Sequence, residues 1–229
     1  MGNDSSKGRV LVTGASRGIG RAVAALFSGR GYTVFGTSRD PGAIPPKDRV
    51  PGVVYLPFDL EKPGSAENLV TRTGPVDILV NNAGISQIGP AEEISAEKVL
   101  RLFQQNFFAH LRLIRLCLPA MREQGHGLVI NIGSLAGRST VPFSSIYAAT
   151  KAAIEALSRG LRSELAPFGV KVAVVAPGAV NTTLPQEETF TDSSPYIDMV
   201  RKVKASRDRS LREGASPEEI AAVIGRVVD

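Results

Sequence analysis

The sequence predicts a doubly wound α/β fold, in which a mainly parallel sheet of six strands is covered by helices on both faces. Two observations carry this. Short β-branched runs alternate with stretches whose apolar residues recur about every 3.6 positions, the order that parallel strands with helical crossovers impose. In addition, 229 residues with 43% hydrophobic and 21% charged content, undivided by any Pro/Gly/Ser-rich linker, suit one well-buried domain spanning 1–229.

Residues 9–13, 33–38, 53–57, 78–81, 127–132 and 171–176 read as the six strands. Between the first two, Ile19, Val23, Leu26 and Phe27 fall on one helical face, and Ile154, Leu157, Leu161 and Leu165 repeat the pattern later. The final helix has a complete start signal: Ser216 as N-cap, Pro217 at the first helical position and Glu219 placed to close a capping box.

Composition excludes several function classes. No apolar run approaches the roughly 18 to 20 residues that span a bilayer, and the polar residues 1–9 contain no signal-peptide core, so no membrane span is expected and the cytoplasm is the default location. Gly2 with Ser6 meets the loose myristoylation pattern, which is too common by chance to carry weight. The lone Cys117 cannot form an internal disulfide and reads as a small core residue, and His110 and His126 belong to no cluster at metal-ligand spacing. A net charge of +5 comes without a nucleic-acid recognition motif, and its one dense run, Arg201, Lys202, Lys204, Arg207, Arg209 and Arg212, is broken by Asp208 and Glu213. That run reads as a solvated helix face.

The first strand leads directly into Thr13-Gly14-Ala15-Ser16-Arg17-Gly18-Ile19-Gly20, and a helix follows. Glycines there permit a tight turn and let backbone N–H groups approach a pyrophosphate at the positive end of the helix dipole. The spacing G-x-x-x-G-x-G resembles the short-chain dehydrogenase/reductase family. Asn81-Asn82-Ala83-Gly84 resembles its N-N-A-G, Pro177-Gly178 with Thr182 its P-G-x-x-x-T, and Ser134 followed by Tyr147-Ala148-Ala149-Thr150-Lys151 its Ser and Y-x-x-x-K. The match runs in order from Val10 to about Thr182. It implies a Rossmann-type three-layer sandwich. The family's usual seventh strand is absent, which points to a truncated protein or to missing C-terminal residues.

The resemblance also implies a reaction: interconversion of a carbonyl and an alcohol, acting on CH–OH donors with NAD(P) as acceptor. Tyr147 and Lys151, four apart, share a helix face, where an ammonium would favour the phenolate of a side chain that otherwise ionises near pH 10. In the family's scheme Tyr147 moves the proton, Ser134 hydrogen-bonds the reacting oxygen, Lys151 also holds the nicotinamide ribose, and Asn106 supports a water-linked proton path. Read alone, Asn106 is equally a plain polar helix residue.

The implied cofactor set comprises Gly14, Ser16, Arg17, Gly18, Ile19 and Gly20 at the first turn and Arg39 after the second strand. Asp59, the family's adenine-contacting aspartate, and Leu60 follow the third strand. Asn82, Ala83, Gly84, Tyr147, Lys151, Pro177, Gly178 and Thr182 complete the set. Thr37-Ser38-Arg39-Asp40 has no acid at Ser38, and Arg17 and Arg39 supply two cations for a 2′-phosphate, so NADP is expected over NAD. Asp40 is the residue that could oppose this.

The segment 183–214 is expected to cover a small-molecule carbonyl or alcohol substrate, with Leu184, Phe190, Tyr196, Met199 and Val203 either lining the pocket or docking the lid. Helices near 96–121 and 144–165 match the family's dimer surface, so a homodimer is expected, with a tetramer the alternative. Two rival readings stand beside the dehydrogenase: a nucleotide-sensing module without catalysis, against which Ser134, Tyr147 and Lys151 argue, and a sugar-nucleotide epimerase or dehydratase, whose G-x-x-G-x-x-G turn and longer C-terminal domain are not seen.

Overall fold

In the computed structural model, which describes residues 6–229, the alternating pattern becomes β1 (Arg9–Val12), α1 (Gly18–Gly29), β2 (Thr33–Ser38), β3 (Val53–Pro57), α2 (Ser65–Thr73) and β4 (Ile78–Asn81). Then come β5 (Ser86–Ile88), α3 (Ala96–Phe103), α4 (Ala109–Gln124), β6 (Gly127–Ile132), α5 (Ser145–Leu165) and β7 (Val170–Val175). β8 (Gln186–Glu188), α6 (Ile197–Arg212) and α7 (Pro217–Val228) complete the chain. Residues 1–5, including Gly2, lie outside the described residues.

Six strands form one parallel sheet in the order β3-β2-β1-β4-β6-β7. The sheet is doubly wound as expected. Its strands alternate between faces: Leu11, Leu79, Val129 and Val172 pack against Leu69 of α2, Leu113 and Cys117 of α4, and Leu161 of α5. Val10, Val12, Ile78, Val80 and Ile130 pack against Val23 and Phe27 of α1 and Ile224 of α7. A parallel sheet covered on both faces needs apolar side chains on both, which is why its strands read as continuous hydrophobic runs. Cys117 is buried there, and burial pushes its thiol up to about 12, so it is inert core.

After β3 the chain returns to the other side of β1, which makes the β1/β4 junction the point where strand order reverses. Ligands of open α/β sheets bind outside the carboxyl ends of strands at such a point. Two departures from expectation frame that crevice. The helical stretch near 96–121 is divided by a π turn at Gln104–Phe108, which separates α3 from α4. A second, two-stranded parallel sheet pairs β5 with β8, Ser86 opposite Gln186 and Ile88 opposite Glu188, tying the segment after β7 to the segment after β4. Ser-Gln-Ile and Gln-Glu-Glu carry no strand signal, so tertiary pairing alone makes them strands.

The capping box of α7 forms as read. Ser216 Oγ accepts from Glu219 N (3.2 Å), and Glu219 Oε2 accepts from Ser216 N (2.7 Å).

Candidate active site

A single cavity of about 760 Å³ opens over the β1/β4 junction, and most of the sequence-singled residues meet in it. At one end lies the first turn. Gly14 and Gly18 have φ of +68° and +53°, conformations that side chains with a Cβ rarely adopt. Gly14, Ser16, Arg17, Gly18 and Ile19 all line the cavity. Gly20 does not. It is buried beneath the turn, where an added Cβ would lie 2.3 Å from Gly14 O and 2.5 Å from Asn82 Nδ2, so its task is to let α1 approach the strand ends. Arg17 begins α1 without a side-chain cap, leaving the first N–H groups of the helix free of side-chain acceptors at the cavity wall.

The N-N-A-G turn is fastened to this first turn from several sides. Thr13 Oγ1 accepts from the backbone N–H of both Asn82 and Ala83 (2.9 Å each), and Asn82 Nδ2 donates to Thr13 O (2.9 Å). His110, a residue without an evident role in sequence, is fully buried with Nε2 2.7 Å from Ala83 O. Burial and the charge of Lys151 hold this histidine down to about 3, so the ring is neutral, and because a carbonyl only accepts, Nε2 carries the proton. Asn82, Ala83 and Gly84 are thereby presented at the cavity floor.

Asn106 sits inside the π turn, fully buried, and does not line the cavity. Its Oδ1 accepts from Ile85 N (3.0 Å), and its Nδ2 donates to Ile85 O (2.9 Å) and Thr150 Oγ1 (3.1 Å). Every polar atom of the amide is thus spent on clamping the Gly84–Ile85 backbone to α5. The amide approaches so closely that a Cβ on Gly84 would lie 2.7 Å from Asn106 Oδ1. π turns concentrate at functional sites because one extra residue re-aims a side chain that regular helix would point elsewhere.

At the cavity's far side, Ser134 follows β6 and caps a short 3₁₀ turn, its Oγ accepting from Ala136 N (3.1 Å). Tyr147 and Lys151 lie on the same face of α5, both buried. Burial pushes the Tyr147 phenol up, opposed by a hydrogen bond with Ser134 and by the charge of Arg207. This differs from the expectation that Lys151 would do the opposing. Lys151 Nζ instead donates to Ile132 O (2.9 Å) and stands 5.9 Å from the centre of the Tyr147 ring. Its own burial brings Lys151 down to about 8.

The remaining predicted residues close the walls. Ser38, Arg39, Asp59 and Leu60 line the edge beyond β2 and β3, and Pro177, Gly178 and Thr182 line the exit of β7, Thr182 packing beside Gly18. Asp40 is turned into its own loop, where Oδ1 accepts from Gly42 N (2.8 Å) and Ala43 N (3.3 Å).

Among the candidate lid residues, Leu184 and Val203 line the cavity. Tyr196 packs edge-on against Phe143, and Met199 is half exposed. The basic run on α6 is also divided. Arg201 pairs with Asp192 and Lys204 with Asp208 and Glu188 at the surface, but Arg207 turns inward and lines the cavity. Among the described residues no helix is long and apolar enough to cross a membrane.

Comparison with known proteins agrees with this geometry. The short chain dehydrogenase family profile matches residues 8–192. The chain is 32% identical to a protein of Bacteroides thetaiotaomicron named 3-ketodihydrosphingosine reductase, over 96% of this chain and 82% of that protein. Among solved structures, a short-chain dehydrogenase from Streptomyces avermitilis superposes with a TM-score of 0.85 at 35% identity, covering all of this chain and 85% of that one. A serine dehydrogenase in closed form complexed with NADP+ gives 0.80 at 27% identity, covering 96% and 88%. The chain therefore belongs to the short-chain dehydrogenase/reductase family and is an oxidoreductase acting on CH–OH donors.

Proposed function

We propose that this protein is an NADP(H)-dependent oxidoreductase that interconverts a small-molecule carbonyl and its alcohol, with Tyr147 as general acid and base. The observation that carries this is the convergence of Ser134, Tyr147 and Lys151 in the cavity whose other end is the glycine turn and the uncapped start of α1. The residues at that end fit a dinucleotide. The first turns of the chain approach each other so closely that side chains at Gly14 or Gly20 would obstruct them, and the start of α1, which has no side-chain cap, is the place for phosphates. Arg17 and Arg39 are the cations for a 2′-phosphate, and Asp40, satisfied by its own loop, is not directed against one. When bound, the nicotinamide supplies or takes the hydride.

The chain's own residues handle the proton and the geometry. Tyr147, protonated at neutral pH because burial holds its phenol up, donates to a carbonyl oxygen in reduction and removes the hydroxyl proton in oxidation. Ser134 orients the same oxygen. Lys151 is fixed by Ile132 O behind the Tyr147 ring and presents its ammonium toward the ribose site. Asn106 acts as a positioning residue through the Ile85 clamp. The segment 183–214, pinned by the β5/β8 pairing, covers the substrate within the single domain. The relative named as a reductase of a 3-keto compound supports a ketone as the carbonyl.

The test is a set of three substitutions. Tyr147→Phe keeps the ring and removes the hydroxyl, so turnover should collapse while NADPH binding largely survives; equal loss of both would mean a structural role. Lys151→Ala should weaken both. Arg39→Ala tests cofactor choice: a charge-assisted hydrogen bond contributes about 1.5 to 3 kcal/mol, so the Michaelis constant for NADPH should rise roughly tenfold or more while that for NADH barely moves.

A further inference from the structure

We infer that the substrate carries an anionic oxygen group, a carboxylate or phosphate, close to its reacting carbon, and that Arg207 of the lid helix binds it. The inference rests on the reading of Tyr147 as the acid and base. Val203, Ser206, Arg207 and Ser210 line the cavity, positions three and four apart that share one face of α6. On that face Arg207 is the charged member. Its Nη1 is buried and has no hydrogen-bond partner among the described residues. Nearly all buried donors in folded proteins are paired, and a guanidinium N–H withdrawn from water without an acceptor is costly, so its position calls for an acceptor.

The chain's own carboxylates do not provide one. Glu61 and Glu187 also line the cavity, but both are held by Arg101, at 3.0 and 2.8 Å. Asp59 Oδ1 accepts from Glu61 N (3.0 Å), and Asp208, the neighbour of Arg207 in sequence, takes Lys204 (2.9 Å). The acceptor must then enter with the ligand.

Location selects the ligand. The charge of Arg207 is felt by the Tyr147 phenol, so the guanidinium stands at the proton-transfer end of the cavity. The candidate phosphate cations, Arg17 and Arg39, belong to the first turn and to the end of β2. A partly buried guanidinium is matched best by a full negative charge, because charge-assisted pairs are about twice as strong as neutral ones. Leu135, Val141, Leu184 and Val203 give the rest of this end an apolar wall, suited to a short hydrocarbon portion.

Two probe pairs test this: acetoacetate against its methyl ester, and dihydroxyacetone phosphate against dihydroxyacetone, each with saturating NADPH. The wild type should favour the charged member of at least one pair by about tenfold or more in kcat/KM. Which pair responds distinguishes carboxylate from phosphate. Arg207→Met should bring that ratio close to one, and Arg207→Lys should retain part of it. The ratio is the readout because losing a cation near Tyr147 also slows proton transfer to the uncharged member, so a lower rate with one substrate alone does not report anion binding.

Binding separates this proposal from the catalytic reading on which it rests. In Tyr147→Phe protein loaded with NADPH, calorimetry should show anion binding that Arg207→Met abolishes, whatever happens to turnover. Equal use of both members of both pairs, or absence of Arg207-dependent binding of either anion, overturns the proposal. So does an Arg207→Met protein that loses NADPH affinity with its substrate ratio unchanged, since the guanidinium would then serve the cofactor.

Discussion

Replacing Asn106 with alanine should cost about 2 to 4 kcal/mol of stability, and the geometry shows where the loss arises. The side chain makes three hydrogen bonds, two of them to the N–H and C=O of Ile85. Each buried backbone group left unmet costs about 1 to 3 kcal/mol, and a water entering the vacated space would recover part of that. Thr150 loses less, because its hydroxyl still donates to Tyr147 O (2.7 Å). Urea denaturation of the cofactor-free protein measures the change, which is a large share of the roughly 5 to 15 kcal/mol typical of a domain. Because the clamped turn presents Asn82, Ala83 and Gly84 to the cavity, the KM for NADPH should rise as well, an effect that generic loss of stability would not produce in the folded fraction. Asn106→Asp sharpens the argument. It keeps an acceptor for Ile85 N but turns a second oxygen against Ile85 O, so at neutral pH it should be no better than alanine. Its buried carboxyl would have a raised pKa, and stability should recover as pH falls through that value, where a protonated oxygen can donate to Ile85 O. A neutral-pH stability for Asn106→Asp equal to wild type, or an alanine variant within about 0.5 kcal/mol of wild type and with unchanged KM, would refute the clamp.

Lys151, brought down to about 8 by burial, makes stability depend on pH. The unfolded chain holds this proton up to the usual 10.5 and the fold only to about 8, so the stability of wild type relative to Lys151→Met should improve as pH rises from about 8 to 10.5; a pH-independent difference in urea titrations would contradict the assigned burial. With the phenol held above its usual value, the Tyr147-dependent oxidation rate should rise with pH through the neutral range while reduction stays flat there, measurable from initial rates in both directions. Ser216→Ala removes an acceptor of the α7 capping box and should cost about 0.5 to 2 kcal/mol, visible as a lower Tm. Light scattering should give at least a dimer, since Leu100 and Phe108 leave large apolar side chains exposed along the α3–α4 face; a monomer mass at every concentration would exclude it.

The sheet was legible because burial on both faces leaves an uninterrupted apolar signature: four of the six strands have the expected bounds, the first ends one residue early and the last is shifted by one residue at both ends. The π turn was not. One added residue at Gln104–Phe108 leaves the apolar periodicity on either side nearly intact, so only the altered direction of Asn106 betrays it. β5 and β8 were invisible for a different reason: Ser86–Ile88 and Gln186–Glu188 are strands because of where the chain brings them. At the site, residues whose work is done by the backbone were readable from glycine spacing. His110 and Arg207 were not, since a histidine in an apolar helix and one arginine among six basic residues on α6 look alike in composition whichever way they point. Docking of α6 over the cavity decides it.

The Tyr147 and Lys151 pair shows how far spacing reaches. Four residues of helix place two side chains on one face, but they do not place the ammonium against the phenol oxygen. Lys151 Nζ finds its acceptor at Ile132 O, and both groups are buried deeply enough that each is shifted toward its neutral form, the lysine downward and the tyrosine upward. A tyrosine in that state is a proton donor before it is a base. On the proposed reading this environment suits Tyr147 to act as the acid of a reduction, and the groups that oppose burial, Ser134 and Arg207, both line the cavity. An anionic substrate pairing with Arg207 would offset the one cation that helps the phenol ionise, raising the phenol further and retaining the proton until hydride transfer generates an alkoxide basic enough to take it.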